Sequence, residues 1–272
     1  MRMTALIQRH WWNLARFGFT PAKLAVRWSA REAPRVVSLS VPKAGTHLLE
    51  RALVLHPRLH RAVRRTLQDI DPARWAELDA LLARLRPGQV VMGHLGYTPR
   101  RRRAIERAGV KGLFLIRDPR DLPVSDAFYI ARRRRHFRHH LFAGKPLRER
   151  IRLAIEGDAR HGMPDIGARL ARYAGWLEAG FELVRFEDLI GPRGGGSSER
   201  QHRQLRAIYR HLGLETDEPW ISHVAERLFC HHSPTFRRGA VGQWRAYFDD
   251  ELKARFNAVA ADQLARYGYE PE

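Results

Sequence analysis

The chain has 272 residues, 44% apolar and 10% aromatic, which suits one large α/β domain or two small ones and excludes a disordered chain. Lys and Arg number 49 against 29 Asp and Glu, a net charge of +20, so an anionic partner is expected: nucleic acid, an anionic membrane surface, or a phosphorylated or sulfated ligand. The single cysteine, Cys230, excludes an intrachain disulfide and a thiolate metal cluster, and fits a reducing, cytoplasmic setting.

The first residues carry Met3, Ile7, Trp11, Leu14 and Phe17 at helical spacing, with Arg2, Arg9, Asn13 and Arg16 elsewhere on the wheel. Residues 1–34 therefore read as a basic amphipathic leader ahead of a domain at 35–272. Two placements fit it: packing on that domain, or lying on an anionic membrane surface as a peripheral contact. No run of ~18 apolar residues predicts a transmembrane helix, and charges interrupt every early apolar run, so no signal peptide is expected.

Val36 to Val41, bounded by Pro34 and Pro42, predicts a buried strand. Pro42 to Thr46 is a short loop, and His47 to Leu55 a helix. Asp71-Pro72 caps a helix running to about Leu85. Gln89 to Met92 is a second strand, ending at Gly93-His94. Thr98-Pro99 caps a helix that stops at Gly109. Leu113 to Ile116 is a third strand, followed by Arg117-Asp118-Pro119 and a helix through Phe128 and Tyr129. Arg132 to His140 is intensely basic. Leu183 to Phe186 is a fourth strand, ending in Glu187-Asp188. A Gly-rich loop over 191–198, helices around 202–211 and 220–228, an irregular stretch over 233–242 and a closing helix from Asp249 to Tyr267 complete the chain. Strands alternating with helices predict an α/β fold with a central parallel sheet flanked by helices. Ligands of such sheets bind outside the carboxyl ends of the strands, and Lys43, His94, Arg117 and Glu187 all fall there.

Lys43-Ala44-Gly45-Thr46 follows the first strand directly. Gly45 permits backbone angles that aim successive N–H groups at one anion, the next helix adds its positive end, and Lys43 and Thr46 add an ammonium and a hydroxyl. The Lys precedes the Gly, unlike the Gly-x-x-x-x-Gly-Lys-Ser/Thr of nucleotide triphosphatases.

Pro42-Lys43-Ala44-Gly45-Thr46-His47 resembles the 5′-phosphosulfate loop of sulfotransferases that use 3′-phosphoadenosine 5′-phosphosulfate (PAPS), usually written Pro-Lys-Ser-Gly-Thr-Thr. The segment from Leu115 to Ser125 is similar to the family's 3′-phosphate segment, with Arg117 at a strand end and Ser125 eight residues later. Phe186-Glu187-Asp188-Leu189 resembles its Tyr-Glu-Asp-Leu, Phe236 to Arg245 its late Arg-Lys-Gly-x-x-Gly-x-Trp-Lys loop, and Gly268-Tyr269 its terminal Gly-Tyr. These features occur in family order from Arg35 to Tyr269.

The resemblance implies a P-loop-like three-layer fold and transfer of a sulfuryl group from PAPS to a hydroxyl, without a metal. It puts Lys43, Ala44, Gly45, Thr46, His47 and Leu48 at the phosphosulfate end of the donor. Arg117, Ser125, Arg237, Arg238 and Gly239 fall at the 3′-phosphate, and Phe186 joins the donor site. His94 becomes the general base, with Lys43 balancing charge on the leaving oxygen and held by Ser125 until the acceptor arrives. Glu50 and Glu187 are the alternative bases. His47, Leu48, Met92 and Phe186 depart from the usual residues and point to a bacterial-type branch. The acceptor is open among glycolipid, glycan and small alcohol, with the basic run and the leader favouring an anionic glycan or glycolipid. A phosphate-loop kinase and a basic nucleic-acid-binding protein are the rival readings. The second lacks any recognition motif or aromatic stacking platform along the basic run.

Overall fold

The computed structural model describes residues 11–29, 33–69, 75–229 and 238–271. Among these, β1 (Val36–Ser40), β2 (His60–Arg61), β3 (Leu67–Gln68), β4 (Gln89–His94), β5 (Lys111–Ile116) and β6 (Glu182–Arg185) form one sheet. Its order is β2-β4-β1-β5-β6, with β3 on β4, and every pairing is parallel. All five residues of β1 are buried, as a central parallel strand covered on both faces requires. The chain leaves β1 for β4 on one side and then takes β5 on the other. The strand order therefore reverses around β1, and a crevice opens at its carboxyl end.

The helices are α1 (Pro21–Ser29), α2 (Thr46–Leu55), α3 (Trp75–Ala83), α4 (Pro99–Arg107), α5 (Asp121–Arg132), α6 (His139–Phe142), α7 (Leu147–Glu156), α8 (Ile166–Ala174), α9 (Phe186–Leu189), α10 (Ser198–His211), α11 (Glu218–Leu228) and α12 (Asp250–Arg266). Thr98 caps α4 as expected, its hydroxyl accepting from Arg101 N at 3.1 Å. Asp249 caps α12 in the same way through Leu252 N at 2.8 Å. The Asp71-Pro72 cap lies outside the described residues.

Several elements differ from the sequence reading. β4 extends through His94, because its register with β1 continues to Leu39↔Gly93 and β3 pairs with its last residue. β6 ends at Arg185, so Phe186 and Glu187 open the short turn α9 instead of ending a strand. β2 and β3 were not anticipated, since two residues carry no periodicity. Three buried aromatics satisfy their polar atoms on backbone: Trp176 Nε1 on Leu95 O (2.8 Å), Tyr209 OH on Ala52 O (2.8 Å) and Tyr267 OH on Leu170 O (2.9 Å).

The leader packs on the domain, with Trp12 under Arg51 and Arg16 as its ionic contact, while part of its apolar stripe faces outward. Residues 11–16 are helical; Trp11 is 57% and Leu14 43% exposed, while Arg16 pairs with the buried carboxylate of Glu50. Met3 and Ile7 lie outside the described residues. Lys23, on α1, is buried and donates to Val54 O (2.5 Å) and Leu59 O, the carbonyls around the carboxyl end of α2. Burial holds its amine down at about 7. No helix among the described residues is long and apolar enough to cross a membrane.

Glu50 is the anchor of this docking. It is buried and faces Arg16, Arg61 (3.1 Å) and His47 Nδ1 (3.3 Å). Burial alone would raise its pKa, but the His47 hydrogen bond and the charges of Arg61 and Arg16 bring it down to about 2. Its folded value lies below the ordinary 4.5, so its stabilisation is complete above that pH and fades as pH falls towards 2. Glu50→Ala leaves Arg61 buried without its counter-charge, and urea denaturation at neutral pH should show a loss of about 3–5 kcal/mol. The difference from wild type should shrink as the pH is lowered through this window.

Candidate active site

The loop after β1 is built from two left-handed residues. Lys43 has φ 73°, the single positive φ outside glycine among the described residues. Such a conformation costs an L side chain about 1–2 kcal/mol. Gly45, at φ 108°, begins α2 and supplies no side-chain cap. A Cβ on Gly45 would come within 2.6 Å of Phe186 Cδ2, so both the angle and the space require glycine here. The first turn of α2 therefore presents its N–H groups and its positive dipole end beside Gly45, Thr46 and His47, which line a cleft of about 2530 Å³. Ala44 lies behind the loop: its side chain is buried, and its N–H donates to Val41 O at 3.1 Å.

His94 lines the same cleft at the end of β4. Its Nδ1 lies 3.0 Å from Ser40 O and 3.2 Å from Ser40 Oγ. A carbonyl oxygen only accepts, so Nδ1 carries the proton and Nε2 keeps the lone pair. Ser40 Oγ also meets Thr46 Oγ1 at 2.8 Å, tying the histidine to the loop. Burial lowers the His94 pKa, the Ser40 bond opposes this, and the charges of His47 and Lys43 lower it further. The ring is thus neutral at pH 7, with its acceptor nitrogen available. Lys43 Nζ stands 3.5 Å from the ring centroid of Tyr129.

A second cationic site lies at the end of β5. The buried Arg117 donates to Asp121 Oδ2 through Nε (3.2 Å) and Nη2 (2.9 Å), and to Ala240 O (2.7 Å). Its guanidinium lies 4.3 Å over the Phe186 ring, whose edge faces Gly45, so one aromatic separates the two sites. Asp121 also accepts from Gly242 N (3.1 Å) and Trp244 N (2.9 Å). These bonds bring the late loop to the β5 end, with Arg238 and Gly239 on the cleft wall. Ser125 lies one turn after Asp121 along α5 and also lines the cleft, as do Leu48 and Phe186. Arg237 and Phe236 lie outside the described residues, as do Cys230 and its neighbours His231 and His232.

The alternative bases are differently engaged. Glu50 is held by Arg16, Arg61 and His47. Glu187 accepts from Asp118 N (2.8 Å) on one oxygen and from Tyr269 OH (2.9 Å) on the other. Burial raises its pKa against these bonds. It anchors the terminal Gly268-Tyr269 segment to the β5 end. Three residues of the site escaped the sequence reading. Asp121 had a signal in its i,i+4 spacing from Arg117. Ser40 had one in being polar within an apolar run. Tyr129 had none beyond its helical spacing from Ser125. Among the described residues, no group of three or more His, Cys, Asp or Glu is arranged to hold a metal ion.

An uncapped helix start at the switch point of a parallel sheet, with a lysine-bearing loop before it, defines an α/β protein of the phosphate-loop-like kind. Among solved structures, mouse sulfotransferase SULT7A1 complexed with PAP is similar, with a TM-score of 0.61 and 17% identity over 89% of this chain and 93% of that one. No family model and no curated protein matches the chain. The likeness shows that the chain has the three-layer fold of that sulfotransferase, a central parallel sheet flanked by helices.

Two substitutions test the construction of the site. Asp121→Ala strands Arg117 and frees two loop N–H groups, and should cost about 3–5 kcal/mol in urea denaturation. Lys43→Gly removes the left-handed strain and should unfold at an equal or higher midpoint, by up to about 1 kcal/mol. A clear destabilisation by Lys43→Gly would contradict the strained loop.

Proposed function

We propose that the chain is a sulfotransferase that moves the sulfuryl group of PAPS to an acceptor hydroxyl. The observation that carries this reading is the presence, in one cleft, of the Lys43 loop and of Arg117 on either side of Phe186, with the neutral imidazole of His94 beside the first; we read these as two anion sites. PAPS is an anion at both ends. A triphosphate-using kinase has no need of a second cationic site built from a late loop. The likeness to a sulfotransferase complexed with PAP, 3′-phosphoadenosine 5′-phosphate by its usual expansion, supports the same donor.

In this reading Lys43 and the N–H groups of Gly45, Thr46 and His47 hold the phosphosulfate, with Ala44 shaping the turn from behind and Leu48 packing beside it. Arg117, Ser125, Arg238 and Gly239 hold the 3′-phosphate by charge-assisted hydrogen bonds, together with Arg237. His94 Nε2 takes the proton of the acceptor hydroxyl as its oxygen bonds to sulfur. The bond between sulfur and the bridging phosphate oxygen breaks, and Lys43 balances the charge left on that oxygen. A sulfate ester and PAP result, and the proton on His94 passes to solvent.

The same proposal includes the division between a leader through residue 34 and a transfer domain from 35, a cytoplasmic location and the bacterial-type branch. It takes the Arg132 to His140 run as the rim of the cleft and not as a nucleic-acid face.

Calorimetry should show that PAP binds the purified chain and that ATP, with or without Mg²⁺, binds far more weakly. Tight ATP binding with no PAP binding would overturn the reading in favour of a kinase. His94→Ala should lower kcat at least about a hundredfold and leave PAP affinity intact, since general-base catalysis contributes about 10²–10⁴-fold. The acid limb of the wild-type rate should fall below the ordinary histidine value of 6.5, because the imidazole is held down and protonation stops transfer.

A further inference from the structure

The donor does not account for the cations of the cleft. Among the described residues, eleven Arg and Lys line it against four Asp and Glu. Each of the four acids already faces a cation: Glu50 faces Arg16, Asp69 faces Arg172, Asp121 faces Arg117 and Asp126 faces Arg169. Three of the cations for which the proposed donor has no use, Arg133, Arg138 and Arg169, lie around the carboxyl end of α5.

That helix sets the distances. Asp121, which holds Arg117, is its first residue, Ser125 follows one turn on and Tyr129 one turn further. Arg133 caps its carboxyl end, about 18 Å along the axis from Asp121 at 1.5 Å per residue. Tyr129 is the pivot. Lys43 stands over its ring at 3.5 Å and Arg133 at 4.9 Å, and His136 meets its edge at 5.8 Å. Phe137 stacks on His136 at 4.8 Å and lies 4.7 Å from the guanidinium of Arg138. Arg169, from α8, closes the group, with Asp126 at 2.7 Å as its carboxylate. The cluster therefore begins at Lys43 and extends away from Arg117, beyond the reacting end of a donor laid between the two anion sites.

Arg133 is exposed, as a side chain of a solvated basic rim would be. Arg138 is instead half-buried: Nη2 donates to Gly162 O at 3.1 Å, and the buried Nε finds no hydrogen-bond acceptor among the described residues. Burial and the like charge of Arg169 both hold Arg138 below the usual guanidinium range, with Asp126 opposing them. Burial also lowers His136, with Asp126 opposing and Arg138, Lys43 and Arg133 adding to the effect. A group of cations this close, sharing Asp126, gains from an oxyanion that bridges them.

We propose that Arg133, Arg138 and Arg169 form an acceptor subsite for an alcohol that itself carries a phosphate, sulfate or carboxylate group. The inference rests on the sulfotransferase reading for its direction, since that reading places the acceptor on the far side of Lys43 from Arg117. Arg133 and Arg138 bind the oxyanion, Arg169 completes the fork from α8, and Tyr129 positions Lys43 and Arg133 together.

The test uses the full chain saturated with PAP at about 150 mM salt, where exposed charges are screened. Two pairs are titrated against this PAP-bound chain and, in separate samples free of PAP, assayed with radiolabelled PAPS: a sugar phosphate against its parent sugar, and vesicles carrying an acidic against a neutral glycolipid. In at least one pair the charged member should bind and react at least about tenfold better, one charge-assisted contact being worth roughly that factor. Arg133→Gln combined with Arg138→Gln should abolish the preference while PAP affinity is retained. Preference in the soluble pair places the anion on a free metabolite, and preference in the vesicle pair places it on a headgroup. No preference in either pair, or a preference that survives the double substitution, overturns the subsite and leaves the transfer reading standing. Failure of PAP to bind sinks both.

Discussion

The carboxylate of Asp121 holds the site together. It is 1% exposed and accepts four hydrogen bonds: two from Arg117, one from Gly242 N and one from Trp244 N. Four donors, one of them a full cation, compensate a buried charge that would otherwise be costly. The bonds join the end of β5 to a loop more than 120 residues later in the chain. Asp118 repeats the arrangement beside it, accepting from Arg120 and from Trp244 Nε1 (3.2 Å), while Glu187 takes Asp118 N and the hydroxyl of Tyr269. Three carboxylates thus gather a strand end, a late loop and the terminal Gly-Tyr around one point. They hold Arg117 and the late loop at the cleft wall.

The loop after β1 is prepared differently, by strain and packing. Lys43 is held at φ 73°, and Gly45 has its Cα against the Phe186 ring. An unfavourable backbone angle survives only where surrounding contacts over-determine it, and here it turns a lysine and a helix start towards the same space. Ser40 completes the preparation, with its carbonyl setting the tautomer of His94 and its hydroxyl reaching Thr46. In the proposed reaction these groups need no reorganisation at the moment charge moves from the acceptor to the leaving oxygen. Phe186 lies between the two groups, one face under Arg117 and one edge on Gly45, so a single ring sets the spacing between Arg117 and the loop after β1.

Local signals were legible where one residue type has one use. The run from Val36 to Val41 identified a buried strand, Thr98 and Asp249 marked helix starts, and the lysine-glycine turn marked the left-handed loop before α2. The alternation of strands and helices was enough for the parallel sheet. Other features were illegible because their cause lies elsewhere in the chain. β2 and β3 exist through pairing with β4, not through any pattern of their own. The leader shows an apolar stripe at 11, 14 and 17, yet Arg16 docks it, because Glu50 is a buried carboxylate that attracts cations.

The sequence by itself determined the order of the four longer strands and of the helices that alternate with them, the glycine turn after β1 and the identity of the polar residues at the strand ends. These follow from short-range chemistry: chain stiffness, capping and hydrophobic periodicity. Only the tertiary structure decided which of those residues share a cleft and in which state. It assigned Glu187 and Glu50 to structural ion and hydrogen-bond networks and left His94 neutral on the cleft wall. It also gathered Arg133, Arg138 and Arg169 around Tyr129. Burial and charge–charge distance set those outcomes, and both are properties of neighbours that the chain brings together only when it folds.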